Sequence, residues 1–291
     1  MHEKEPTFTP IPYDKKILLA DIVRELKIDV VILDTKGAAY HNYLPDLLYH
    51  DKHKGHIYWL PRDFAECDVL KLCIEEDFQY ETSYNWHDAH GFTAILQKHI
   101  IHTLMDSSMP IYTFPFSVDT ESFKPSGRPR AAKVGFAGTQ VAGNAISGGS
   151  VYLPRELAYG ALQSSGLLAP ESTPGGQHIE GDAYLEYLQQ YAAYLSCGSI
   201  YRLTPAKMVE IIASGGILVT DKTYRLDRMF PDDIYLTYNE TASDLVEKVK
   251  ELFNDPDRMK TMVEKGLKCI KEEHSHEVRI KWLQEIIRIH L

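Results

Sequence analysis

Lys207 and Glu210 stand three residues apart in the stretch YRLTPAKMVEIIASGGILVTD, Tyr201 to Asp221, which places both side chains on one face of a helix. Thr204 suits the N-cap of that helix and Pro205 its first turn. Such an entry leaves backbone amides aimed at whatever precedes the helix, a natural place for an anion. A lysine beside the anion and a carboxylate one turn further in, able to accept two hydroxyls, together suit a phosphorylated polyol such as a sugar nucleotide. Taken alone, the same two residues also read as an i,i+3 ion pair on a surface helix.

The elements around this pair follow from hydrophobic spacing. Met208, Val209, Ile211 and Ile212 recur at helical period, Gly215-Gly216 stops the helix, and Ile217 to Thr220 reads as a buried strand. Upstream, KVGFAGT (Lys133 to Thr139) is a strand running into a glycine-bearing turn, with Gly143, Gly148 and Gly149 prolonging the loop before a helix that begins near Leu153. The spacing fits neither G-x-G-x-x-G nor G-x-x-x-x-G-K-[ST]. Amides at Gly138 and Thr139 can still approach a diphosphate, and Arg155, in the first turn of the following helix, can fork onto phosphate. A plain surface loop is the competing reading, and the Tyr201 to Asp221 stretch downstream favours ligand contact. Tyr184, Tyr187, Tyr191 and Tyr194 follow helical spacing, which predicts one tyrosine-rich helix packing a core face.

The first half of the chain is less explicit. Residues 1 to 15, with Pro6, Pro10 and Pro12, read as an extended lead-in. A helix over Ile17 to Leu26 feeds a buried strand over Asp29 to Leu33, ended by Asp34. HIYWLP (His56 to Pro61) predicts a second strand ending in Arg62 and Asp63, FAECDVLKLCIEE a helix after it, and Phe78 to Trp86 a third strand. NWHDAHG gathers His87, Asp88 and His90 before a helix expected over Phe92 to Met105. Histidine and aspartate can hold a metal, but no matching ligand spacing follows, so no metal site is assigned. A base or acceptor contact, or plain surface histidines, are the readings left. His99 and His102 are read as structural.

Two motifs carry a family resemblance. The pattern Pro205, Lys207, Glu210, Ala-Ser-Gly-Gly and an apolar strand resembles the donor-binding helix of GT-B glycosyltransferases, most closely the group 1, spore-maturation type. IYTFPFSVDTESFKP (Ile111 to Pro125) resembles the hinge at which such chains leave the first domain, and the Pro/Gly-rich, basic tract PSGRPRAAK (Pro125 to Lys133) has linker character. The resemblance implies an α/β fold of two Rossmann-like domains facing each other across a cleft, the first small or trimmed. The expected parts are an acceptor-side domain over residues 1–125, a nucleotide-sugar domain over 126–275 and a final helix over 276–291 that crosses back. It further implies a hexosyltransferase using a UDP- or GDP-sugar, with no metal and no other cofactor. Gly138, Thr139, Thr204, Lys207 and Arg155 would take the diphosphate, Glu210 the ribose, and Ile179 and Tyr184 the base. Related enzymes mostly retain anomeric configuration; an inverting reaction would need a base, for which His87, His90, Asp34 and Asp63 are the candidates. The acceptor would be a glycan, a lipid-linked or a small-molecule hydroxyl.

Two departures stand out. Many group 1 enzymes carry a glutamate eight residues before the ribose glutamate, and here that position is Arg202. The first domain also begins with a helix, so a partner chain or second copy is an expected way to complete it. A sugar-nucleotide epimerase and a non-catalytic sugar-nucleotide-binding or scaffold protein of the same fold are the alternatives.

Composition agrees. The 291 residues are 44% hydrophobic, enough for two modest cores, and the net charge of −10 argues against nucleic acid or anionic membrane held by bulk charge. Cys67, Cys73, Cys197 and Cys269 form no C-x-x-C pair, for which a reducing cytoplasm is the simplest expectation. No apolar run reaches the length of a membrane span.

Overall fold

Apolar runs bounded by polar turns become two four-stranded parallel sheets in the computed structural model, which describes residues 18–34, 63–75, 87–88, 90–99, 109–138, 152–170, 179, 181–200 and 202–291. The chain divides into two units, one of Met1–Lys98, Leu104–Thr113 and Ile286–Leu291, the other of His99–Thr103 and Phe114–Glu285. The segment after Thr113 is tied into the second unit by Gln189, whose side-chain amide donates to the Lys124 carbonyl at 3.0 Å, and by Phe123, whose ring lies against Tyr184.

In the first unit, α1 (Leu19–Leu26) leads into β1 (Val30–Asp34), followed by β2 (Leu70–Glu75), β3 (Ala94–Gln97) and β4 (Ile111–Thr113), hydrogen-bonded in that order. Two sequence expectations fail here. The segment FAECDVLKLCIEE is not a helix: its second half is β2, with Leu72 and Cys73 fully buried. Its alternation of Lys71, Cys73 and Glu75 with Leu70, Leu72 and Ile74 is the period of a strand. Nor does a helix run from Phe92, because Ala94–Gln97 is β3, paired with both β2 and β4. A short, mostly apolar run reads as either element. The strands expected over His56 to Pro61 and Phe78 to Trp86 lie outside the described residues.

The second unit orders β5 (Ala131–Gly135), β6 (Tyr191–Leu195), β7 (Ile217–Asp221) and β8 (Tyr235–Tyr238). Its helices are α2 (Leu153–Ser164), α3 (Gly181–Tyr187), α4 (Ala206–Ala213), α5 (Leu245–Phe253) and α6 (Pro256–Cys269); a π-helical turn (Ile270–His274) then precedes α7 (His276–His290), whose last residues group with the first unit. Strand β7 is buried on both faces, as a central parallel strand must be. Leu218 packs with Met208, Ile211 and Ile212 of α4, while Ile217 and Val219 face Ala158 and Leu162 of α2 and Leu245 and Val249 of α5.

The four tyrosines do not share one helix. Tyr184 and Tyr187 end α3, and the chain turns before Tyr191 and Tyr194 enter β6. Tyr187, Tyr191 and Tyr194 nonetheless pack one core face, with ring centroids 5.7 to 6.1 Å apart. The Tyr194 ring needs bare backbone on both sides. A Cβ at Gly135 would stand 2.5 Å from it, and one at Gly216 would stand 2.9 Å away. Gly215 turns the chain out of α4 at φ 78°, a left-handed conformation that favours glycine.

Candidate functional site

The residues singled out in the second unit collect at the carboxyl ends of β5, β6 and β7, where open parallel sheets receive ligands. After β5 the chain turns through Phe136, Ala137 and Gly138. Lys207, in the first turn of α4, donates its Nζ to the Ala137 carbonyl at 2.6 Å, and a Cβ at Gly138 would lie 3.1 Å from that nitrogen. Burial, and then the nearby Arg155 charge, hold the Lys207 ammonium below the ordinary lysine range, with Glu210 opposing them. One turn on, Glu210 accepts a hydrogen bond from Tyr184 Oη at 2.8 Å. Burial, and then Glu210, push the Tyr184 phenol far up, so it stays a donor. Ile179 and Tyr184 both pack at the edge of the core cluster formed by α3, α4 and β7.

The entry to α4 differs from the sequence reading. Pro205 is the N-cap and Ala206 the first helical residue, with no side-chain cap. Thr204 is buried, and its Oγ1 has no hydrogen-bond partner among the described residues. Proline at the cap removes one donor but leaves the first-turn amides of Ala206 and Lys207. Arg155 sits in the first turn of α2, stacked 3.7 Å over the Tyr152 ring and 5.8 Å from that of Phe136. Thr139 lies outside the described residues.

Sequence reading passed over Asp221, the last residue of β7. Its carboxylate is buried, accepts the Gly198 N–H at 2.8 Å, and is held above the ordinary carboxylate range by burial. That bond fixes the loop leading to Thr204, in which Ser199 and Arg202 adopt left-handed φ of 63° and 54°. Arg202 reaches Glu240 on the surface at 2.9 Å. The only sign in the sequence is an acid closing an apolar strand, ILVTD.

Of the first unit's candidate bases, Asp63 and His87 are engaged in separate contacts among the described residues. Asp63 accepts the N–H groups of Leu19 at 2.7 Å and Ala20 at 2.8 Å, capping α1 from a distance. Burial raises its pKa, but those two bonds and the Lys71 charge outweigh it and leave the carboxyl below its ordinary value. Asp34 ends β1 opposite Ile74. His90 is partly exposed, its N–H donating to the His87 carbonyl. His87 is fully buried, with Nε2 2.7 Å from Glu75 Oε1; the Cys73 thiol approaches the same oxygen at 3.5 Å. Glu75 and Cys73 were missed because a helix would have set them on different faces, whereas β2 sets them on one.

Among the described residues no helix is long and apolar enough to cross a membrane. Residues 145–285 match the model of a family described as glycosyl transferase-like. The fold is similar to that of a glycosyltransferase from Rickettsia africae, with a TM-score of 0.61 at 10% identity over 96% of this chain and 84% of that one. Sucrose-phosphate synthase from Thermosynechococcus elongatus matches with a TM-score of 0.53 at 12% identity, covering 77% and 68%. HepE of Anabaena, solved in complex with UDP-glucose, matches at 0.58 and 8%, covering 76% and 72%. No curated protein sequence matches significantly.

Proposed function

We propose that this chain, whose residues 145–285 match the glycosyl transferase-like family, is a glycosyltransferase of the GT-B fold that moves a hexose from a UDP-sugar to an acceptor hydroxyl with retention of configuration and without a metal on the diphosphate. What supports this most is the gathering of the Ala137–Gly138 turn, Lys207 and the Tyr184–Glu210 pair at one sheet edge. The first-turn amides of α4 and the turn at Gly138 take the diphosphate, with Thr139 next in sequence as a further contact, and Lys207 exchanges its carbonyl partner for phosphate oxygen. Arg155 adds charge from α2. Glu210, its direction set by Tyr184, accepts the ribose hydroxyls, and the base lies toward Ile179 and Tyr184.

The bond from the anomeric carbon to the diphosphate oxygen breaks with its electron pair going to the phosphate. The acceptor oxygen bonds to that carbon on the same face and gives its proton to the departing phosphate oxygen. Lys207 and the helix amides stabilise the charge that develops there, the largest contribution such a site supplies.

A thermal-shift screen of UDP, GDP, ADP, CMP and their sugar conjugates, with and without magnesium or manganese, tests the donor assignment. UDP should raise the melting temperature without metal, and Glu210→Ala should abolish the shift. The reading fails if no nucleoside diphosphate stabilises the protein or if the variant responds like the wild type. The configuration of the product's anomeric carbon, read by NMR, decides retention.

A further inference from the structure

Cys73, Glu75 and His87 bring together a thiol, a carboxylate and an imidazole, the donors that zinc-class ions prefer. Their donor atoms all lie within 4.8 Å of one another, and the three residues are 0, 1 and 0% exposed. The backbone explains how they meet: positions 73 and 75 share a face of β2, and the short helical turn at His87 and Asp88 delivers the imidazole onto it. Among the described residues, the Phe92 ring lies edge-on to His87 at 5.5 Å and Phe64 lies against Phe92 at 5.3 Å. Lys71, on the same face of β2, directs its ammonium to the Ala65 carbonyl at 3.1 Å and toward the Phe64 ring. Donor atoms already held together on a buried face are presented to an ion without the cost of gathering them.

We propose that Cys73, Glu75 and His87 are the ligands of a bound zinc-class divalent ion in the first unit. The inference is independent of the proposed transfer reaction. Metal–ligand distances of about 2.0–2.3 Å put tetrahedral ligand atoms about 3.2–3.7 Å apart. The 3.5 Å between Cys73 and Glu75 already fits, and the 2.7 Å between Glu75 and His87 opens by roughly half an ångström on this geometry. Binding releases the Cys73 S–H proton to solvent, and Glu75 and His87 bind as carboxylate and neutral imidazole in place of their hydrogen bond to each other; the ion forms bonds to S, O and N, and nothing is oxidised or reduced.

A second cluster, Cys269, Glu273 and His274, serves as an internal control. There Glu273 is exposed, and His274 Nε2 already engages the Met229 carbonyl at 2.8 Å.

The test is titration of the chelator-stripped full-length protein with cobalt(II), following the thiolate-to-cobalt charge-transfer band. One equivalent should saturate the band; Cys73→Ser should abolish it, Glu75→Gln should weaken cobalt binding at least tenfold, and Cys269→Ser should leave it unchanged. Absence of a band in the wild type, its survival in Cys73→Ser, or its loss in Cys269→Ser overturns the proposal. Circular dichroism checks that each variant is folded. If Cys73→Ser is not, X-ray absorption of the wild-type zinc form decides alone: one sulfur with nitrogen and oxygen neighbours is expected, and a spectrum without sulfur sinks the site.

Discussion

Two parallel sheets of four strands, each hydrogen-bonded in chain order, treat the polar groups at their carboxyl edges in opposite ways. At the first sheet, Glu75 and His87 are sealed against each other beneath aromatic rings and are fully buried. At the second, Lys207, Glu210 and Tyr184 are only partly buried, and Lys207 stands against the turn at Gly138. The sealed edge holds its polar groups out of water, and the half-open edge leaves them within reach of solvent.

The widest break in that contrast would come from Glu75→Ala. If the Glu75–His87 pair is a sealed one, removing one partner should cost the metal-free protein about 3–5 kcal/mol, read as a lower urea midpoint, whereas Glu210→Ala should leave the midpoint nearly in place. Lys207→Ala should do the reverse: turnover falls about 10²–10³-fold, the loss seen when a charge-stabilising donor is removed, with the fold intact by circular dichroism. Gly135→Ala forces a methyl against Tyr194 and should cost about 1–3 kcal/mol by overpacking, measured by thermal unfolding. Asp63→Ala removes a helix cap and should cost roughly 0.5–2 kcal/mol.

The smallest effect sharpens the comparison through pH. Asp63 has a lowered pKa in the folded state, so its contribution is present above its ordinary value of 3.8 and fades as the pH falls through that region. Asp221 has a raised pKa, so the native state keeps a proton that the unfolded chain has lost, and stability drains as the pH rises from 3.8 through the folded value. Asp63→Asn should therefore fall behind the wild type as the pH rises toward and through 3.8, and Asp221→Asn should gain on the wild type as the pH rises above 3.8. Unfolding midpoints measured relative to the wild type from about pH 2.5 to 7 would show opposite slopes, and parallel slopes would remove the distinction between the two acids.

How much could be read beforehand followed from how local the signal was. Lys207 and Glu210 on one helix face, the stop at Gly215 and the apolar β7 are set within a few residues, and all are present in the fold. The Tyr184–Glu210 bond joins residues 26 apart, and Asp63 reaches α1 across 44; no period in the sequence encodes either contact. The short runs around Leu72 and Ile95 look helical only because strands of six and four residues carry too little pattern. Reading the wrong period there concealed the shared face of Cys73 and Glu75. The cap at Thr204 slipped by one residue, since a threonine followed by proline offers two plausible starts.

The Tyr194 ring, wedged between Gly135 and Gly216, has a mechanical consequence. Gly135 leads directly into the turn at Gly138, and Gly216 closes the helix that carries Lys207 and Glu210. One rigid aromatic plate is thus the common datum for both halves of the proposed donor site, which makes their spacing a property of the core and not of the loops. An enlargement at either glycine would misalign cation and carboxylate together, a lesion felt at the site without touching it.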